Sequence, residues 1–308
     1  MSSFRIISFV GALVASFACT SRERDVARAD GAAGAAAAGA PLVVDAFGDS
    51  VRTTTPATRI ASLNPATTEL VFALGAGDRL VGRTHWDSYP PEALAVPDLG
   101  DGMRPNVERI VAARPDLVLL YASAENRAAR DALHRAGIAT FTQRIDRIGD
   151  FAKAIVDLAR AIGDTTLAAA VRDSVLASVA SAHSRVQGLP APKVLWPLWE
   201  APLMAVGKGS FLNDLLEAAG ARNIFADLDA PSPNVTFEEA VRRDPDIVLI
   251  GASGAGTIRT DPRWRALRAV REGHVVAYDT LIVSRPGVRL GEAANHLAEL
   301  LHPGLRGK

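Results

Sequence analysis

The stretch "PNVERIVAARPDLVLL", Pro105 to Leu120, returns later as "PNVTFEEAVRRDPDIVLI", Pro233 to Ile250. Each copy runs Pro-Asn-Val, a glutamate, an amphipathic stretch, a Pro-Asp pair and a set of branched apolar residues. Glu108 and Glu238 stand 130 positions apart, and so do Pro115 and Pro245. A single echo at that distance is too sparse for a solenoid, whose units recur every ~20–50 residues. It points to two similar lobes. The chain has 308 residues, room for about two domains of ~150 residues each.

The residues around the echo read as alternating strands and helices. In the first half "RIASL", "RLVGRT", "DLVLLYA" and "IATFTQ" are strand candidates. Between them "NPATTELVFALGAGD", "PNVERIVAARP" and "NRAARDALHRAG" are helix candidates, and "IGDFAKAIVDLARAIG" follows as another. Asn64 suits a helix cap, Pro65 the first helical position, and Gly75 or Gly77 the stop. Short Gly and Pro stops between such units predict parallel strands with crossover helices. "DTTLAAAVRDSVLASVASAHSRVQG", Asp164 to Gly188, has no Gly or Pro before its closing Gly. It predicts a helix about 33 Å long, a rigid connector rather than a hinge. The second half restarts the pattern. "KVLWPLW", "PLMAVG", "DIVLIGA" and "HVVAYD" are strands. "SFLNDLLEAAG" (capped by Ser210), "TFEEAVRRDP", "RWRALRAVREG" and "GVRLGEAANHLAELLHP" are helices. The expected fold class is α/β, two lobes with mainly parallel sheets joined by one long rigid helix. The expected boundaries are 1–19 for a signal peptide, 20–41 for a flexible tether, 42–163 for the first lobe, 164–188 for the connector and 189–308 for the second lobe.

Charge and cysteine usage narrow the function. Lys and Arg number 34 and Asp and Glu number 34. A broad nucleic-acid surface needs a basic excess, so nucleic acid is not an expected partner. The six histidines are scattered and none pairs with another at metal-ligand spacing on a helix, so no metal site is expected. Cys19 is the only cysteine, which rules out an intrachain disulfide. Before it lie Arg5 and the apolar run Ile6 to Ala18, shorter than the ~20 residues of a spanning helix. That is the layout of a secretory signal. Cys19 directly after Ser16-Phe17-Ala18 resembles a bacterial lipobox, with Ser16 where Leu is usual. Ordinary cleavage after Ala18 is the other reading. The lone cysteine in that place favours a lipid anchor, and hence an extracytoplasmic protein held to a membrane. "TSRERDVARADGAAGAAAAGAP" then reads as the tether.

The echoed glutamates have two readings. With Asn106 and Thr236 as caps, Glu108 and Glu238 fall at the second helical position, and Thr236 with Glu239 spells a capping box. Acidic residues there complement the helix dipole by about 0.3–1 kcal/mol each. Alternatively, each lobe presents one carboxylate to a two-fold symmetric basic partner.

The order and spacing of "SLNPATTELVFALGAGDRLVG", "YPPEA", "NVERIVAARPDLVLL", "VGKGSFLNDLLEAAGARNIFAD", "VTFEEAVRRDPDIVLI" and "SRPGVRLGEA" carry a resemblance. From Arg59 to Leu301 the chain resembles the substrate-binding proteins of ABC importers for vitamin B12, haem and iron-siderophores, most of all the B12 branch. The resemblance implies a cleft between two lobes and no permanently bound cofactor. The transported ligand would be cobalamin (or a related corrinoid) or another metal chelate. It implies a monomer that meets a dimeric ABC permease with its ATPase subunits. By motif match, Glu108 in "NVER" and Glu238 in "TFEE" would dock on permease arginines.

In open parallel sheets, ligands bind beyond the C-terminal strand ends. The loops there hold His85 and Trp86, Tyr121 to Ser123, Trp196 to Glu200, Ser253, and Thr280 to Arg289. Aromatic faces with a few polar groups suit a large, flat ligand. The ligand candidates are Trp86, His85, Trp196, Trp199, Met103, Arg104, Arg285 and Arg289. Trp86 matches a ligand-contacting aromatic of the B12 branch. Trp196 and Trp199 also fit core positions, and Trp264 fits packing. His85 fits an axial metal ligand or a surface residue. Arg285 and Arg289 fit propionate, phosphate or acetamide contacts, or capping of the last helix. The loop "GDGMRPN" carries Met103 and Arg104 where the B12 branch often has an aromatic, and a cationic loop also suits haem or a ferric chelate. A zinc or manganese importer lipoprotein would need more histidines in these loops. A secreted α/β hydrolase is the rival of a different class, but G-x-S-x-G, H-E-x-x-H and G-x-x-x-x-G-K-[ST] are absent. "GASGAGT" lacks the lysine of a phosphate loop and is expected to be a mobile cleft loop.

Overall fold

The structure, a computed structural model, describes residues 42–252 and 254–305. Cys19, the signal and the tether lie outside them, as does Ser253. The first half begins with an antiparallel hairpin, β1 (Leu42–Val44) with β2 (Ser50–Arg52). It continues through β3 (Ile60–Ser62), α1 (Pro65–Ala73), β4 (Leu80–Gly82), α2 (Val107–Ala112) and β5 (Leu117–Tyr121). It ends with α3 (Ala124–Arg135), β6 (Ala139–Gln143) and α4 (Ile148–Ala161). The long helix is α5 (Ala168–Val186). The second half contains β7 (Lys193–Leu195), the antiparallel pair β8 (Pro197–Glu200) and β9 (Leu203–Ala205), α6 (Phe211–Ala218) and β10 (Arg222–Asn223). Then come α7 (Phe237–Arg243), β11 (Ile247–Gly251), α8 (Ala255–Thr260), α9 (Arg268–Arg271), β12 (Val275–Tyr278), α10 (Thr280–Val283) and α11 (Leu290–Leu301).

Two parallel four-stranded sheets result, ordered β4-β3-β5-β6 and β10-β7-β11-β12. The echoed strands β5 and β11 hold the same third place in each. In both sheets the order reverses next to the first strand, the crevice where open α/β sheets take ligands.

The echo is a local device repeated in full. Asn106 Oδ1 accepts from the Arg109 N–H at 3.0 Å, and Thr236 Oγ1 accepts from the Glu239 N–H at 3.1 Å. Glu239 turns to Arg243 (2.6 Å) instead of closing the expected box. After each helix a residue before proline adopts positive φ, Arg114 at 48° and Asp244 at 47°. The next aspartate then clasps the neighbouring strand. Asp116 N–H donates to Arg59 O at 2.9 Å while its Oδ1 accepts from Arg59 N–H at 3.1 Å. Asp246 N–H donates to Lys193 O at 2.8 Å while its Oδ2 accepts from Lys193 N–H at 2.9 Å. The side chains of the same two cations cap the helix ends: Arg59 Nη2 on Ala113 O (2.8 Å), Lys193 Nζ on Arg243 O (3.1 Å).

One apolar core runs through both halves. It joins Phe141, Phe151 and Ile155 to Val175 and Ala182 of α5, and these to Val194, Leu216 and Leu297. The long helix is therefore packed along its length as well as connecting. Its buried residues Ala168, Val175, Ala182 and Val186 follow a near-heptad stripe. Gly291 allows α11 to lie close against it, since a Cβ there would sit 2.0 Å from Ser178 Oγ. The helix starts later than the expected Asp164, because Asp164 forms a turn in which its Oδ1 accepts from Thr166 N–H at 3.2 Å.

Three local expectations change. "KVLWPLW" is split into β7 and β8, with Trp196 between them. "RWRALRAVREG" is a 3-10 turn over Pro262–Ala266 followed by the short α9, with Leu267 extended between them. The Gly-rich "GASGAGT" enters α8 at Ala255.

Candidate functional site

A cavity of 790 Å³ lies where the C-terminal strand ends of both sheets meet. Leu63 and Asn64 follow β3, Tyr121 ends β5, and Gln143 ends β6. Leu198, Phe211 and Leu281 face them from the second half. The local fold positions these residues. Asn64 Oδ1 caps α1 by accepting from Ala66 N–H at 3.2 Å. Ser210, also in the lining, caps α6 by accepting from Leu212 N–H at 3.2 Å. Gly102, also in the lining, packs close to Leu63, where a Cβ would meet Leu63 O at 2.1 Å.

Of the predicted ligand residues, Trp86, Met103 and Arg285 line the cavity. Trp86 is 61% exposed, with the His85 ring 4.5 Å from its own. His85 is exposed and is not part of the lining. Its imidazole packs on Trp86, so the axial-ligand role gains no geometric support. Trp199, 63% exposed, donates from Nε1 to Ala201 O at 3.1 Å and stands outside the lining. Arg104 is exposed and also outside it. Trp196 corrects the expectation of a cleft aromatic. It is 0% exposed and packs edge-on against Tyr278, with ring centroids 5.1 Å apart. Lying between β7 and β8, its indole turns inward to the shared core.

Both arginines make contacts that hold the two halves together, Arg289 outside the cavity lining and Arg285 within it. Glu69, on α1, is fully buried with no exposed side-chain surface. Arg289 Nη2 donates to Glu69 Oε1 at 2.8 Å and to Leu281 O at 2.6 Å, and its guanidinium lies 4.2 Å over the Tyr89 ring. Arg285 Nη1 reaches Glu69 Oε1 and Ser88 Oγ, each at 3.4 Å, and its Nη2 donates to Trp86 O. Burial pushes the Glu69 carboxyl above its ordinary range, and the arginines draw it back only in part. A second clasp joins Arg147 Nε to Asp214 Oδ1 at 2.9 Å. Asp87, beneath the Trp86 loop, accepts from Thr84 N–H at 3.0 Å. Burial raises its carboxyl as well.

Glu69 carried a sequence signal: it is the one charged residue in the apolar helix "PATTELVFA". Gln143 and Phe211 carried none that separates them from ordinary strand and helix residues. Glu108 and Glu238 are exposed on the first turns of α2 and α7, and neither is in an ion pair among the described residues. Among the described residues no group of three or more His, Cys, Asp or Glu is arranged to hold a metal, and no helix is long and apolar enough to cross a membrane.

Two α/β halves closing on one aromatic-lined cleft are the build of a solute-binding protein. Residues 60–280 match the family of periplasmic binding proteins, and the chain belongs to that family. It is 30% identical over 254 residues to an uncharacterised ABC transporter substrate-binding lipoprotein, YvrC, of Bacillus subtilis (strain 168), covering 80% of each chain. It is 24% identical over 247 residues to the vitamin B12-binding protein of Vibrio cholerae serotype O1, covering 80% of this chain and 90% of that one. A solved structure of the periplasmic haem-binding protein BhuT in complex with two haems superposes with a TM-score of 0.71 at 26% identity, covering 79% of this chain and 97% of that one.

Proposed function

We propose that the protein is the substrate-binding component of an ABC importer, capturing cobalamin outside the cytoplasmic membrane and delivering it to the permease. The observation that carries this reading is the cleft itself: 790 Å³, with Trp86, Tyr121, Phe211 and Met103 among its lining, beside polar groups that include Gln143 and Arg285. Such a surface suits a large, flat, partly apolar ligand. Likeness to B12-binding proteins supports cobalamin. Haem is the alternative, supported by likeness to BhuT. Cys19 anchors the protein by lipidation, and residues 20–41 tether the folded part. Glu108 and Glu238 hold equivalent places on the helices that lead into β5 and β11 and seat the loaded protein on the two halves of a permease dimer. ATP hydrolysis belongs to other subunits.

Titration with cyanocobalamin, followed by tryptophan fluorescence and calorimetry, tests the reading. Saturable one-to-one binding that returns the ligand chemically unchanged is expected. Haem binding without cobalamin would move the ligand and keep the transport role. Glu108→Ala with Glu238→Ala is expected to leave binding intact and abolish uptake by cells that depend on this importer. Loss of binding in that double variant would count against the docking assignment.

A further inference from the structure

Gln143 ends β6 at the floor of the cavity and is 6% exposed. Neither Nε2 nor Oε1 of its side chain has a hydrogen-bond partner in the protein. A donor and an acceptor are thus left unmatched. Buried amides are ordinarily paired, so this one asks for a reason. Its register partner across the parallel β5–β6 pair is Tyr121, which also lines the cavity. Partners in such a ladder project to the same face. Burial pushes the Tyr121 phenol up, so it remains a neutral donor. Of the cations nearby, Arg285 is held by Glu69, Ser88 and Trp86, and Arg144, half-exposed, donates from Nε to Asp146 Oδ1 at 2.8 Å. A ligand carboxylate, which only accepts, would leave Oε1 facing an acceptor. A primary carboxamide matches both atoms of Gln143.

We propose that Gln143 reads a carboxamide on the ligand's edge, turning toward the cavity to donate to its carbonyl and accept from its N–H. The inference rests on the cobalamin reading above and sharpens it. A corrin rim carries acetamide and propionamide groups, whereas a porphyrin of the haem type carries carboxylates. The unmatched amide is then a specificity group whose hydrogen bonds are completed by the ligand.

The test uses the full chain, wild type, Gln143→Met and Gln143→Glu. The probes are cyanocobalamin, its monocarboxylic acids (one rim amide hydrolysed to carboxylate) and haem. Gln143→Met is expected to unfold at the same or a higher temperature, because it removes a buried unmatched amide. It is expected to weaken cyanocobalamin at least about tenfold, and Gln143→Glu likewise. Wild type should bind at least one monocarboxylic acid more weakly than the parent, and Gln143→Met should lose that distinction. Equal cyanocobalamin affinity in wild type and Gln143→Met would overturn the inference and leave the cobalamin reading standing. Haem binding without any corrinoid binding would overturn both. Should Gln143→Met fail to fold, wild-type affinities decide: equal binding of the parent and all its monocarboxylic acids would overturn the inference.

Discussion

The four tryptophans divide by their surroundings. Trp196 and Trp264 are sealed in the core, and Trp86 and Trp199 are mostly exposed. Trp196→Ala is expected to cost about 3–5 kcal/mol in denaturant unfolding, the usual range for emptying a buried aromatic site. Trp86→Ala should move stability by no more than about 0.5 kcal/mol while weakening the ligand. Asp87 gives a pH signature. Its folded carboxyl sits above the ordinary 3.8 because of burial, with hydrogen bonds from Thr68 and Thr84 pulling it only part of the way back. In that window the folded protein holds a proton that the unfolded chain has released. The resulting stability is full below pH 3.8 and is lost as the pH rises through the folded value. Asp87→Asn does not titrate there. Wild-type stability minus variant stability should therefore fall with rising pH in urea unfolding at stepped pH, and a flat difference would refute this account. At this scale the sequence offered the residue types a ligand site could use but not which way they face. "THWDSYPP" reads as an exposed turn because polar residues and prolines surround Trp86. "KVLWPLW" reads equally well with Trp196 facing inward or outward.

Each echoed element is a helix, a positive-φ turn and an aspartate clasp on the first strand of its sheet. Asp116 takes donors from Thr58 N–H (2.8 Å), the Thr58 hydroxyl (2.8 Å) and Arg59 N–H (3.1 Å). Asp246 takes Lys193 N–H (2.9 Å) and Arg268 Nη2 (2.9 Å). Asp116→Ala and Asp246→Ala are each expected to cost about 1–3 kcal/mol in thermal or denaturant unfolding, because backbone donors at a strand start lose their acceptor. Substitution of the neighbouring exposed Glu108 should leave stability nearly unchanged. That contrast separates the part of the echo that serves folding from the part proposed to serve docking. Elements with a long apolar run or a capping residue were legible, as with α1 behind Asn64 and α6 behind Ser210. The β1–β2 hairpin was not, because it is held by contacts remote in sequence. Asp45 Oδ2, for instance, accepts from Thr142 N–H at 3.0 Å.

For the whole molecule, the decisive contacts join the two halves: the shared apolar core, the Arg147–Asp214 pair, and Glu69 with Arg285 and Arg289. Arg289→Ala would leave Glu69 buried with only the longer contact to Arg285. A loss of about 3–5 kcal/mol is expected, the range for breaking a buried pair from one side, and calorimetry would measure it. Little change would mean that Arg285 compensates. The sequence by itself determined the alternation of strands and helices, the long central helix and the doubling of the lobe. These follow from caps, stops and periodicities that act between residues a few positions apart. Only the tertiary structure decided that Arg289 meets Glu69 across 220 positions, that Trp196 is sealed while Trp86 is open, and that Gln143 is left unmatched at the cavity floor. Burial and pairing at those places depend on surfaces supplied by both halves at once, and no local pattern in the chain records which remote surface arrives.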